Sequence, residues 1–230
     1  MSEKNEKLFI HHHLGLGDHY MCCGLVRHLV SLKEYKVYLL ACKENVRKNV
    51  LPLYADLSNL KVLKGDSETA DTSLYDDLPS DCDKLKIGFN NLTGAGDIDE
   101  SFYRQVEIPL EYKWSKFHLE RNLQKEEECF QEEVKSNEYI FVNDYSSKGS
   151  FDFKINNSLP IVRPTNTKYL VSDYLKVIKN AQEVHCLNSS FLNLIDLTCD
   201  QEGMYFHNVQ GNFNVAIDKE KWEIINDYGK

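Results

Sequence analysis

The stretch "KVYLLAC", residues 36–42, is short and almost wholly apolar. A strand with one solvated face alternates polar and apolar side chains, so an unbroken run of this length predicts a strand covered on both faces. Three more runs share the first part of the chain: "KLFIHHH" (7–13), "LKVLKG" (60–65) and "DKLKIGFN" (83–90). Between them lie helix-period segments. Residues 19–33 put Cys22, Leu25, Val26, Leu29 and Val30 on one helical face, and "KENVRKNVLPLYADL" (43–57) reads as a second helix, kinked or begun afresh near Pro52. Strand and helix in alternation predict a parallel sheet flanked by helices.

The rhythm then breaks. Residues 91–112 read as loop, and 113–135 as one long, highly charged helix linking two halves. A second alternation follows, with strands over 138–146, 183–189 and 203–209, helices over 171–181 and 190–199, and a closing helix over 218–229. The expectation is an α/β protein of two small doubly wound domains, 1–112 and 113–230.

At 42% hydrophobic, the 230 residues hold enough apolar material for a core in each half. A formal charge of −9 repels phosphate backbones and argues against a nucleic-acid partner. No run approaches the length of a spanning helix, and the opening "MSEKNEK" is charged, which predicts a cytoplasmic chain with at most peripheral membrane contact. The 7 cysteines are odd in number and contain no C-x-x-C, so most of them read as reduced core residues.

In an open parallel sheet, ligands collect beyond the carboxyl ends of the strands. "HHHLGLGDH" (11–19) sits at such an end. Gly15 and Gly17 permit tight turns and close backbone approach, and Asp18 falls at or near the N-cap of the next helix, where a carboxylate is either a cap or a base. The spacing is not the dinucleotide fingerprint, because Tyr20 stands where the third glycine belongs. His11-His12-His13 continues an apolar strand, unlike a purification tag. Alternation puts His11 and His13 on one face and His12 on the other, as hydrogen-bonding or cleft-lining groups rather than metal ligands.

Two later segments carry donors. "NDYSSKG" (143–149) joins hydroxyls, a lysine and a glycine, a set that can hold phosphate or simply form a surface turn. "HCLNSSFLNLIDL" (185–197) takes a strand through Asn188-Ser189-Ser190 into a helix, whose free amides suit a diphosphate or need only a serine cap.

Taken together, "GLGD" before a helix and a late "SSF" helix start resemble the heptosyltransferase-like glycosyltransferases of the GT-B fold, which carry two Rossmann-like domains facing a cleft. The resemblance is closest over residues 9–30 and more diffuse over 138–199, and this chain is shorter than the usual member. It implies Asp18 as catalytic base, with His13 and His19 flanking it on the acceptor side. It implies donor binding by Ser146, Ser147 and Lys148 and by Ser189, Ser190 and Phe191, although the usual aspartate-threonine-glycine turn here reads Asn188-Ser189-Ser190. The expected reaction is inverting transfer from a nucleotide-sugar donor to a saccharide or glycoconjugate acceptor, as in polysaccharide biosynthesis, with no cofactor and no metal. Two other readings compete: a non-catalytic saccharide- or nucleotide-binding module of the same fold, and a metal-dependent enzyme using His11, His13 and His19.

Overall fold

In the computed structural model, residues 5–65, 78, 80–88, 97–209 and 215–226 are described. The chain divides into two compact units, Met1–Glu120 and Arg121–Lys230. Each is a parallel α/β unit, as the alternation requires.

Unit 1 is built on β1 (Lys7–His11), β2 (Val37–Lys43), β3 (Leu60–Gly65) and β4 (Cys82–Lys86). They pair in parallel in the order β3-β2-β1-β4. The burial of Tyr38 to Cys42 bears out the two-sided cover read from "KVYLLAC". Phe9, Leu39 and Ala41 form a core cluster with Leu14 and Cys82. Helix α1 (Leu16–Ser31) begins three residues earlier than its apolar spacing predicts, and α2 (Glu44–Val50) passes into a 3-10 turn at Leu51–Leu53, where Pro52 sits.

Residues 98–105, read as loop, form helix α3 (Ile98–Gln105), which buries Asp99, Phe102 and Tyr103. The spacing i, i+3, i+4 is that of a helical face, masked in the sequence by the charged residues around it. The expected helix over 113–135 is two helices. Short α4 (Tyr112–Ser115) belongs to unit 1, and α5 (Leu123–Glu133) starts anew with Asn122 accepting a hydrogen bond from the Lys125 amide at 3.0 Å. Between them the backbone is tied to unit 1: Cys23 Sγ donates to the His118 carbonyl, and the Glu120 amide donates to Pro52. The division therefore falls after Glu120, not between 112 and 113.

The α1 to α4 contact explains a glycine in mid-helix. A Cβ on Gly24 would lie 1.8 Å from the Tyr112 carbonyl oxygen. Beneath it, Lys113 Nζ meets Asp99 Oδ2 at 2.7 Å with both side chains fully buried, an ion pair removed from water.

Unit 2 carries β5 (Ile140–Asn143), a hairpin of β6 (Tyr145–Ser146) and β7 (Gly149–Ser150), then β8 (Ile161–Val162), β9 (Glu183–Cys186), β10 (Met204–His207) and β11 (Trp222–Ile225). The main sheet runs β11-β10-β9-β5-β8, all parallel. A 3-10 turn (Val171–Tyr174) leads into α6 (Leu175–Lys179), and α7 (Ser190–Thr198) follows β9. The expected strand 138–146 thus stops at Asn143.

The closing helix expected over 218–229 is instead strand β11, with 227–229 outside the described residues. Trp222 pairs in register with Met204 and donates its indole N–H to Asp196 Oδ1 at 3.0 Å. Pairing with β10 overrides a pattern that is weakly helical on its own. Between β7 and β8 no helix forms; residues 151–158 carry no regular structure, alternate residues are half-buried, and Phe153 stacks on His207 at 4.0 Å. All seven cysteines are buried and free. Among the described residues no helix is long and apolar enough to cross a membrane.

Candidate functional site

In unit 1 the chain leaves β1 for β2 on one side and places β4 on the other, so the order reverses between β1 and β4. In unit 2 the reversal lies between β5 and β9. Crevices at such switch points, beyond the carboxyl ends of the strands, are where open α/β sheets bind ligands. The glycine loop follows β1, and the Asn143-to-Gly149 and Asn188-to-Phe191 segments follow β5 and β9.

At the unit 1 switch point, Gly15 is the N-cap and Asp18 the third residue of α1. Asp18 Oδ2 accepts the Gly15 amide hydrogen at 3.1 Å. Glycine has no side chain with which to return that bond, so the contact is half of a capping box. A Cβ on Gly15 would come within 2.6 Å of the same oxygen, so the glycine makes room for the carboxylate. Gly17 lies inside the first helical turn and not in the loop, a correction that follows from the earlier start of α1.

The three histidines part company. His11 ends β1 against Phe9, with ring centroids 6.0 Å apart. His12 turns to α1 and packs edge-on against His19 at 4.5 Å, while His13 stays half-buried, its Nε2–H donating to the Gly88 carbonyl at 2.9 Å and its ring against Phe102. The alternation expected for the run is kept for His11 and His12 and lost at His13, where the strand has ended.

His19 is fully buried, so it cannot flank Asp18 at an acceptor as the resemblance implied. His12 Nδ1–H donates to the His13 carbonyl, while His12 Nε2 and both His19 nitrogens have no hydrogen-bond partner among the described residues. Burial drives both rings to the neutral form, lowering His12 to about 4 and His19 well below its ordinary value. Burial also lowers His11 to about 4. Among the described residues no three histidine, cysteine or acidic groups are arranged to hold a metal.

Sequence reasoning missed Gly88 and the Asp99–Lys113 pair. Gly88 has φ +88, its amide donates to Gln105 Oε1 at 2.8 Å, and a Cβ there would strike Phe102 at 2.6 Å. The buried pair acts electrically on α1 one turn beyond Asp18, at Cys22. The Cys22 thiol is pushed well up, by burial first, with Asp18 and Asp99 adding to the rise and Lys113 opposing it.

At the unit 2 switch point, Ser189 caps α7. Its Oγ accepts from the Leu192 amide at 3.4 Å and donates to Asn143 Oδ1 at 2.6 Å. Asn143 Nδ2 in turn donates to the Tyr145 carbonyl at 3.3 Å, and Asn193 Nδ2 to that of Ser189 at 3.1 Å. Adjacent strand ends are thereby joined by a neutral amide and hydroxyl network. Asn143 was missed; a polar residue closing the buried run "IFV" was the available signal.

Ser146, Ser147 and Lys148 form the turn of the β6–β7 hairpin, where the Lys148 amide donates to Ser146 Oγ at 3.1 Å and the side chains of Ser147 and Lys148 are exposed. Ser190 is half-buried in the first turn of α7. Phe191 is a correction: its ring is buried between Phe141 and Tyr174 and supports α7 instead of facing a ligand. A further buried chain went unread. His185 Nε2–H donates to Glu183 Oε2 at 3.1 Å, which leaves Nδ1 to accept the Nε2–H of His207 at 2.8 Å. Burial lowers His207 to about 4 and lowers His185 as well.

No known family profile matches the chain, and no curated protein matches it. Its fold is similar to a crystal structure described as the glycosyl transferase family 9 from Veillonella parvula DSM 2008. The match covers 90% of this chain and 81% of that one, with a TM-score of 0.51 and 7% sequence identity. At that identity the likeness is one of fold, and it spans both parallel units.

Proposed function

We propose that this chain is a glycosyltransferase that moves a sugar, with inversion, from a nucleotide-sugar donor to a saccharide or related acceptor. The observation that carries the reading is that Asp18 and the Ser189-capped start of α7 each lie at the switch point of a parallel sheet. The fold likeness to a glycosyl transferase family 9 structure supports it.

In this reading the acceptor belongs to unit 1. Asp18 takes the proton from an acceptor hydroxyl as that oxygen attacks the anomeric carbon, and the bond from that carbon to the diphosphate breaks. The Gly15 amide fixes the carboxylate so that its placement, rather than its basicity, does the catalytic work. His13, tied to Gly88, lines the acceptor side. Unit 2 takes the donor, and the charge on the departing nucleoside diphosphate is met by Lys148, by the Ser146 and Ser147 hydroxyls and by the amides at Ser189 and Ser190, with no divalent ion required.

The test is Asp18→Asn assayed with a panel of nucleotide sugars. Loss of transfer with a nearly unchanged melting temperature supports the base, and full turnover removes Asp18 from that role. A thermal-shift screen over UDP, GDP, ADP, CMP and dTDP sugars identifies the donor, since a ligand of the folded state raises the midpoint by mass action. One observation favours a second reading, a binding module without chemistry: the Asp18 carboxylate already serves the Gly15 amide as a helix-start contact. That reading predicts a nucleotide-dependent shift with no release of nucleoside diphosphate.

A further inference from the structure

Unit 1 has a second concavity, far from the glycine loop. Its volume is about 460 Å³, within the range of small-molecule sites. Helix α1 runs from the switch point to this pocket. At 1.5 Å per residue, Ser31 on the rim lies about 20 Å along the helix from Asp18. Arg27 and Lys33 come from the end of α1, Asn59 from the approach to β3, and Lys116, Phe117 and His118 from the segment after α4.

The chemistry of this wall departs from the rest of the molecule. The chain carries 36 acidic residues against 27 lysines and arginines, yet among the described residues no acidic one lines this pocket. The adjoining acid, Asp56, is committed: Arg27 holds it through two bonds of 2.8 and 2.7 Å, and His118 Nε2 lies 3.7 Å away. Arg27 is thereby fixed as part of the wall, and its Nη1 also donates to the Leu53 carbonyl.

Lys33 and Lys116 enter no ion pair among the described residues. Lys33 has φ 55, its amide bonded to the Val30 carbonyl at 3.2 Å as the helix ends. Lys116 lies over the Tyr112 ring, 4.5 Å from its centroid. Two lysines are suited to phosphate as point charges. The half-buried ring of Phe117 and the side chains of Val30 and Leu57 supply apolar surface that a bare anion does not need; Ser31 and Ser115, whose hydroxyls donate to the His28 and Glu111 carbonyls, keep oxygen lone pairs to accept from sugar hydroxyls, and Asn59 adds an amide. Cations, an aromatic ring and neutral hydrogen-bonding groups together match a sugar that bears a phosphate.

We propose that this pocket is a binding site for a phosphorylated monosaccharide, separate from the Asp18 loop. The site does not depend on the transferase reading. Its test is calorimetric titration of the full chain with glucose 6-phosphate, glucose and inorganic phosphate, with Trp114 fluorescence as a second readout. Wild type and Asp18→Asn bind glucose 6-phosphate saturably and with equal affinity, inorganic phosphate binds more weakly, and glucose does not bind. The double variant Lys33→Glu, Lys116→Glu, with an unchanged melting temperature, loses about tenfold or more in affinity, as expected when charge-assisted contacts are reversed. If that variant has a lower melting temperature, Lys33→Gln with Lys116→Gln replaces it under the same criterion. The proposal is overturned by absence of saturable binding to wild type, by equal affinity in the double variant, or by inorganic phosphate binding as tightly as the sugar phosphate.

Discussion

At the switch point of unit 1 a charged group is held by a backbone amide: Asp18 is anchored to Gly15, with a buried ion pair and two buried neutral histidines behind it. At that of unit 2 the corresponding place holds uncharged groups, Asn143, Ser189 and Asn193, bonded in a chain that ties one strand end to the next. Both units use the same parallel topology, yet where unit 1 has a carboxylate, unit 2 has amide and hydroxyl groups that bond to one another and to a backbone carbonyl. Topology sets where the strand ends converge in both units, while the few residues after each strand set the charge found there. The units are also separately measurable, because Trp114 lies in unit 1 and Trp222 in unit 2.

The largest effect expected on this contrast is from Lys113→Ala. Removing the cation leaves the buried Asp99 without its Lys113 counter-charge, at a cost of about 3–5 kcal/mol. Urea unfolding followed in a Trp222→Phe background, where Trp114 reports, shows the loss in unit 1; an unchanged midpoint contradicts a dry ion pair. Acid comes next and acts on both units. The folded chain leaves His11, His12 and His207 neutral down to about 4, whereas the unfolded chain protonates them below about 6.5. The unfolded state therefore binds more protons in that window, and stability, complete above pH 6.5, falls as pH drops toward 4. Midpoints equal at pH 7 and pH 4.5 refute the burial of these rings.

Gly24→Ala is expected to cost roughly 1–3 kcal/mol, because its methyl must displace the Tyr112 backbone. The loss is confined to unit 1, and a cost below that range means that α4 yields easily. Ser189→Ala removes a cap and the Asn143 contact from unit 2, for about 1 kcal/mol, read from Trp222 fluorescence. The smallest effect on folding is from Lys148→Ala, within about 0.5 kcal/mol, since the side chain is exposed. If the donor reading is right, the same variant raises the KM for the nucleotide sugar, and a KM identical to wild type takes Lys148 out of the donor site.

What was legible in the sequence was local. Apolar runs such as "KVYLLAC" and the helical face through Cys22, Leu25 and Val26 declare themselves because burial on a period is a property of neighbouring residues. The glycine loop was legible for the same reason, since a strand, two glycines and a helix are contiguous. What escaped depends on distant partners. Strand β11 exists because β10 offers an edge and Asp196 receives the Trp222 indole, neither of which the segment itself displays. Helix α3 hides among charged residues because one of them, Asp99, is neutralised by Lys113, 14 residues away. His19 and Phe191, which the resemblance put at the site, are turned into the core by helix geometry that the motif alone does not display.

The irregular passage from β7 to β8 stands where a βαβ unit ordinarily carries a helix. Its hold on the sheet is a stack of Phe153 on His207 and a row of alternating half-buried side chains, while Asp152, Lys154 and Asn156 face water. A segment of this kind is a natural insertion point: extra residues added at its outward positions leave every strand pairing of unit 2 intact. Growth of a full helical layer there, or its loss from a larger ancestor, is a change of covering that needs no rethreading of the sheet beneath.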